Sequence, residues 1–91
     1  MKKEDVVSPT VIVFPNPNRT GQLNFRLSVL DTEQQLKGQV LLYDVQGQLV
    51  ESKLLHNTRE LLEVGHLAQG LYHWEVIVDD HVLGRGKVIQ Y

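Results

Sequence analysis

The chain has 91 residues, no cysteine, a formal net charge of -2 and 42% hydrophobic residues. This length fits one domain with little room for an enclosed active site, and without cysteine there are no disulfides or thiolate metal ligands. The nearly balanced charges argue against nucleic acid as a partner. Because no apolar run reaches the ~20 residues of a transmembrane helix, we also expect no direct membrane insertion.

The first ten residues combine basic and acidic side chains without hydrophobic periodicity. Lys2 and Lys3 are followed at once by Glu4 and Asp5, where a signal peptide would have an apolar region. We therefore expect a linker or an added leader over 1–10, followed by one domain over 11–91.

Strand patterns occupy the first half of that domain. Positions 11–14 form a short β-branched run that a proline-rich turn ends. Apolar and polar residues alternate over 23–29, which predicts a half-buried strand. The run 40–43 is apolar on both faces and predicts a central strand. Asp and Gly at the ends of 44–47 are typical of a tight turn, and 49–55 then returns as the partner strand.

The second half continues the same pattern. Positions 58–64 fit either a strand or a short helix, and their shortness favours a strand. From position 71, one face of a strand is formed by Tyr72, Trp74, Val76 and Val78. A turn at Asp79 and Asp80 leads into a last strand over 82–91. About seven short strands separated by turns predict an all-β fold, a small antiparallel immunoglobulin-like β-sandwich.

Two glycines lie inside the last predicted strand, at Gly84 and Gly86. Glycine within a strand usually marks a bulge or a close approach of the backbone to another group. Arg85 and Lys87 alternate with these glycines, which predicts a charged outer face.

The titratable residues do not form a recognisable catalytic or metal-binding set. Of the four histidines, only His73 shares a strand face with a nearby carboxylate, that of Glu75, whereas zinc needs three or four convergent ligands. Asp79 and Asp80 fit a hairpin turn better than an acid–base pair. The glycines are too dispersed for a phosphate loop. We therefore predict no catalytic residue, no metal and no cofactor, and expect that the protein is not an enzyme.

Four short segments follow one another in a fixed order. They contain Pro15, Asn16, Pro17 and Gly21; then Tyr43, Asp44 and Gly47; then Leu67, Gly70 and Tyr72; and finally Gly86, Lys87, Val88, Ile89, Gln90 and Tyr91. In this order and spacing they resemble the type A C-terminal sorting domain of the type IX secretion system of Bacteroidetes-type bacteria. The resemblance covers about positions 10–91.

The resemblance implies a sorting function. Such a domain follows a secreted cargo domain and directs it from the periplasm through the outer-membrane translocon, with its shuttle components, to the cell surface or beyond. A surface sortase-like peptidase then usually removes the sorting domain. On this basis we expect residues 86–91 to be the sorting signal, the last strand to offer a free edge for strand addition, and processing to occur within 3–10.

An alternative function is that of an accessory β-sandwich module of an extracellular hydrolase or adhesin, binding carbohydrate or spacing domains. It predicts an exposed aromatic pair. Tyr72 and Trp74 share a strand face with Val76 and Val78, which favours a place in the core. The sequence Asn18-Arg19-Thr20 also fits an N-glycosylation site, although this motif is weakly specific.

Overall fold

The computed structural model describes residues 10–28 and 37–91. Residues 1–9 of the leader predicted over 1–10, and the predicted strand end at Val29, lie outside the described residues. Seven strands make up the ordered elements: β1 (Thr10–Phe14), β2 (Gln22–Ser28), β3 (Gly38–Tyr43), β4 (Leu49–Leu55), β5 (Arg59–Glu63), β6 (Gly70–Val78) and β7 (His81–Gln90). The all-β prediction of about seven strands is confirmed. β1 begins at Thr10, the last residue of the stretch that we assign to the leader.

The strands form two antiparallel sheets. One has the order β1-β2-β5 and the other the order β4-β3-β6-β7. Relative to an immunoglobulin constant domain, the fourth strand belongs to the sheet of the third. The tight turn between β3 and β4 explains this, since a short hairpin keeps consecutive strands paired. Within the described ranges, no helix is long and apolar enough to cross a membrane.

The core lies between the sheets and follows the period of two. In β2 and β6 the alternate apolar residues are buried, from Leu23 to Leu27 and from Tyr72 to Val78. β3 lies between β4 and β6 and has a buried residue on its outer face as well, Leu41, as expected for a central strand. At the centre, Phe25 and Trp74 meet edge to face with ring centroids 6.0 Å apart, which joins the two sheets.

The two glycines of β7 make room for side chains packed against the strand, Gly86 for Trp74 and Gly84 for Val11. Gly86 is the cross-strand partner of Trp74, and a Cβ atom on Gly86 would lie 2.7 Å from Trp74 Cζ2. A Cβ on Gly84 would lie 3.1 Å from a methyl group of Val11. The ladder between β6 and β7 is also irregular at Val76. Both predicted reasons for strand glycines, a bulge and a close approach, are therefore confirmed.

The hairpin turns are those that the aspartates predict. Asp44 Oδ1 accepts hydrogen bonds of 2.9 Å from the backbone N–H groups of Gln46 and Gln48. The two-residue turn between β6 and β7 consists of Asp79 (φ 52°) and Asp80 (φ 66°). These positive φ angles define a type I′ turn, in which glycine at the second position is preferred.

Candidate functional site

The four segments of the family pattern converge at one end of the sandwich. Register places Tyr43 beside His73, and His73 beside Lys87, across three neighbouring strands. The loop that follows β1 reaches the same end, where Asn18 forms a parallel bridge with Gln90. Segments distant in sequence thus surround residues 86–91, and the site is built around β7.

Asn16 holds the outer edge of β7 with its side chain. Its Nδ2 donates a hydrogen bond of 3.1 Å to the carbonyl oxygen of Lys87. Its Oδ1 accepts one of 3.2 Å from the backbone N–H of Ile89. The amide of one side chain therefore pairs with β7 in the manner of a neighbouring peptide group.

Asn18 continues this pairing with its backbone. Its N–H donates to the carbonyl of Ile89 at 2.6 Å, and its carbonyl accepts from the N–H of Tyr91 at 2.8 Å. We call Asn16 and Asn18 the asparagine clamp. The expected free edge is therefore not available at these positions, because the carbonyl of Lys87, both backbone groups of Ile89 and the N–H of Tyr91 are already bonded.

The side chain of Asn18 fixes the loop that carries the clamp. It is completely buried, and it donates to the carbonyl of Gln22 at 2.8 Å while accepting from the N–H of Gly21 at 3.1 Å. The buried amide thus has partners for its donor and its acceptor, as buried polar groups require. Because both atoms are bonded and none of the residue is exposed, this asparagine is not accessible to glycosylation in the folded domain.

The side chain of Gln90 ties the inner face of β7 to the loop that follows β5. It is buried, and its Nε2 donates 2.8 Å to the carbonyl of Val64. The N–H of Val64 in turn donates 2.8 Å to the carbonyl of Gly21. Gly21 has a φ of +81°, and a Cβ there would approach the backbone of Gly65 to 3.2 Å, so conformation and close contact both favour glycine.

The segment Leu67 to Tyr72 forms a corner at the start of β6. The N–H of Leu67 donates 3.0 Å to the carbonyl of Val64. The hydroxyl of Tyr72 donates 2.6 Å to the carbonyl of Ala68, which is the tyrosine corner of immunoglobulin-like sandwiches. Since Tyr72 is the cross-strand partner of Val88, this corner fixes the start of β6 beside the last residues of β7.

The side chains of residues 86–91 divide cleanly between two faces. Val88 and Gln90 point into the sandwich and are buried, whereas Lys87 is exposed on the outer face. Ile89 and Tyr91 share that face and remain 42% and 56% exposed. The guanidinium carbon of Arg19, the residue after the clamp, lies 4.6 Å from the centroid of the Tyr91 ring. The exposed features of the segment are therefore side chains and not backbone.

Farther along the same outer face, Glu75 is held by two partners. It accepts a hydrogen bond of 3.0 Å from Arg85 and one of 3.4 Å from the Tyr43 hydroxyl. Partial desolvation raises the pKa of Tyr43 above its usual value of 10.0, and the charge of Glu75 and their hydrogen bond act in the same direction. These groups line a shallow groove of about 380 Å³ with His73 and Lys87.

This groove contains the one pair that the sequence singles out for a metal, His73 and Glu75. Within residues 10–28 and 37–91, no three His, Asp or Glu side chains lie close enough to share an ion. The carboxylate of Glu75 instead binds Arg85 and Tyr43.

The prediction that Tyr72 and Trp74 belong to the core is confirmed, since they are only 7% and 9% exposed.

Three residues of the site have structural roles that the sequence does not predict. They are Asn18, Arg19 and Gln90. Asparagine and glutamine are usually exposed, so nothing in composition marks these two as buried. The one available signal is the period of two in β7, which places Gln90 on the same face as the buried Val88. Arg19 reaches Tyr91 only through the long-range contact of the clamp, which has no local signature.

The architecture is therefore that of a small β-sandwich domain. Its last strand pairs with β6 on one edge and with the asparagine clamp on the other, and its outer face displays one row of side chains. The family model for the secretion system C-terminal sorting domain matches residues 12–90. The chain belongs to this family, the type IX secretion C-terminal sorting domains, a class of sorting signals that are typically not enzymes.

Comparison with solved structures finds the crystal structure of CopC from Methylosinus trichosporium OB3b. It has 16% sequence identity to this chain and a TM-score of 0.49, and the match covers 89% of this chain and 91% of that one. No protein with a curated description matches this chain.

Proposed function

We propose that this domain directs a cargo protein, attached on its N-terminal side, across the outer membrane through the type IX translocon and its shuttle components. Membership of the sorting family implies a secreted, surface or extracellular cargo. The cargo crosses the periplasm before it reaches the translocon. The domain acts as a recognition module, and no residue is assigned a catalytic role.

The signal in this proposal is the segment of Gly86, Lys87, Val88, Ile89, Gln90 and Tyr91. The observation that carries it is the division of this segment into a buried and an exposed row, with Lys87, Ile89 and Tyr91 on the outer face. The asparagine clamp occupies the backbone edge. Recognition therefore reads side chains of the folded domain, in place of the strand addition that the sequence alone suggests.

A surface sortase-like peptidase then removes the domain. We place the processed bond within 3–10, ahead of the strand ladder that begins at Thr10. Mass spectrometry of the released fragment tests this placement. A fragment starting within 3–10 is expected, and one starting beyond Phe14 contradicts it, because β1 would have been cut from its partner β2.

The test of the signal uses a reporter with a signal peptide at its start and this domain at its end, expressed in a bacterium with a type IX system. Deleting residues 87–91 should leave the reporter in the periplasm. Because that deletion also removes the buried Val88 and Gln90, a second variant with Ile89→Ser and Tyr91→Ser changes the exposed row alone.

The serine variant should fold with an unfolding midpoint close to that of the original domain and still fail to reach the surface. Thr10→Ser with Ile12→Ser on β1 is the matched control, since Ile12 is 54% exposed on the other sheet, and should be exported normally. Normal surface display of both the deletion and the Ile89/Tyr91 variant would refute the assignment of the signal.

A further inference from the structure

The outer face of the last strand continues onto the loop that clamps it. Asn18 bonds to Ile89 and Tyr91 through its backbone, and the next residue, Arg19, is exposed with its guanidinium carbon 4.6 Å from the centroid of the Tyr91 ring. Two segments of the chain therefore display one surface, which we call the composite face: Arg19, Lys87, Ile89 and Tyr91.

The composite face is apolar at its centre and cationic at its sides. Ile89 and Tyr91 are 42% and 56% exposed, and Lys87 and Arg19 are exposed beside them. An arginine stacked on an aromatic ring keeps its N–H donors at the ring edge available for a carboxylate. Aromatic and arginine side chains of this kind are the residue types that dominate protein–protein contacts.

The charges of this face are not neutralised within the described part of the chain. There the ion pairs involve Lys53, His66 and Arg85, and neither Arg19 nor Lys87 takes part. Arg26 and Arg59 on the other sheet take no part in these ion pairs either, so what distinguishes Arg19 and Lys87 is their position beside the exposed row of residues 86–91. Charge complementarity of this sort selects and orients a partner of the opposite sign.

Resting on the proposed sorting function, we propose that the composite face docks on an acidic protein surface of the translocation apparatus, with carboxylates opposite Arg19 and Lys87 around an apolar contact for Ile89 and Tyr91. Arg19 is thereby a recognition residue although it lies in the loop after β1, outside residues 86–91. The clamp makes the folded state a condition of recognition, because only pairing of the loop with β7 brings Arg19 beside Tyr91.

Charge reversal on this face, compared with the same reversal elsewhere, tests the proposal. The first variant carries Arg19→Glu and Lys87→Glu. The matched control carries Arg26→Glu and Arg59→Glu, which are exposed cross-strand partners on the other sheet and change the net charge equally. A third variant, Arg19→Lys with Lys87→Arg, keeps the charge. Each is fused to the exported reporter and checked by urea unfolding.

We expect the Arg19/Lys87 reversal to lower surface reporter by about tenfold or more, since like charges across an interface are strongly unfavourable. The Arg26/Arg59 control should export at close to the original level. The charge-preserving variant should export more than the reversal but less than the original domain, because lysine does not reproduce the stacking of Arg19 on Tyr91. Normal export of the Arg19/Lys87 reversal overturns the proposal, and so does an equal loss in the Arg26/Arg59 control.

Failure of the unmodified fusion to leave the periplasm would instead refute the sorting function itself, and this inference with it. A lipid surface is distinguished by sedimentation of the purified domain with phosphatidylglycerol–phosphatidylcholine vesicles. Binding that the Arg19/Lys87 reversal abolishes would show that the composite face reads anionic headgroups and would overturn the assignment to a protein partner. No binding to the vesicles is expected.

Discussion

Replacing Asn18 with alanine removes both side-chain hydrogen bonds of a residue with no exposed surface. The carbonyl of Gln22 keeps a second donor, the hydroxyl of Thr20 at 3.0 Å, so that loss is small, about 0.5–1 kcal/mol. The N–H of the half-buried Gly21 loses its acceptor, and leaving such a donor unsatisfied costs about 1–3 kcal/mol. The sum is about 1.5–4 kcal/mol.

This loss is large for a domain of this size. A chain of 91 residues has a free energy of unfolding of about 5–14 kcal/mol, so the Asn18→Ala variant should remain folded with a clearly lowered midpoint. With an m-value near the lower end for small proteins, about 1–1.5 kcal/mol/M in urea, the midpoint should fall by about 2 M. Equilibrium unfolding followed by the fluorescence of Trp74, the only tryptophan, measures the shift.

Asn57→Ala, in the exposed turn between β4 and β5, is the matched control and should stay within about 0.5 kcal/mol of the original domain. An Asn18→Ala midpoint that coincides with that of the Asn57 control would refute the account of a buried amide that holds the loop in place.

Three further perturbations examine neighbouring features. Asn16→Ala should accelerate hydrogen exchange, measured by NMR, at the amide of Ile89, which donates to Asn16 Oδ1. Exchange at the amide of Val76 in the core should not change. Unaltered exchange at Ile89 would argue against the clamp. Gly86→Ala should destabilise the domain by about 2–3 kcal/mol, because the new Cβ meets the Trp74 ring at 2.7 Å, and by more than Gly84→Ala; a smaller loss at Gly86 than at Gly84 would contradict this packing. Asp79→Asn with Asp80→Gly should raise stability by about 1 kcal/mol in thermal unfolding, since both φ angles are positive, and a lowered Tm would count against the type I′ turn.

Much of the fold could be predicted because its determinants are local. Alternation over β2 and β6 shows which side chains are buried, and Asp44 with Gly47, and Asp79 with Asp80, locate two hairpins. The glycines of β7 also predict that another group packs closely against the strand. Only the structure shows that at Gly86 this group is the ring of Trp74.

The candidate site is different, because its decisive contacts join residues far apart in sequence. A single amide of Asn16 that bonds to Lys87 and Ile89 leaves no periodic pattern in either segment. The same contacts explain why the expected free edge at the end of β7 is absent there. An edge strand can be recognised from its sequence, whereas a loop that covers the edge cannot.

The central claim, that this domain sends an attached protein through the type IX translocon, is tested most directly by one fractionation experiment. A reporter carrying a signal peptide and this domain is expressed in a type IX host and in the same strain without its translocon. The reporter should reach the surface or medium in the first strain and accumulate in the periplasm of the second. Retention in the periplasm of both strains would contradict the sorting function, and surface display in both would show that export does not depend on the translocon.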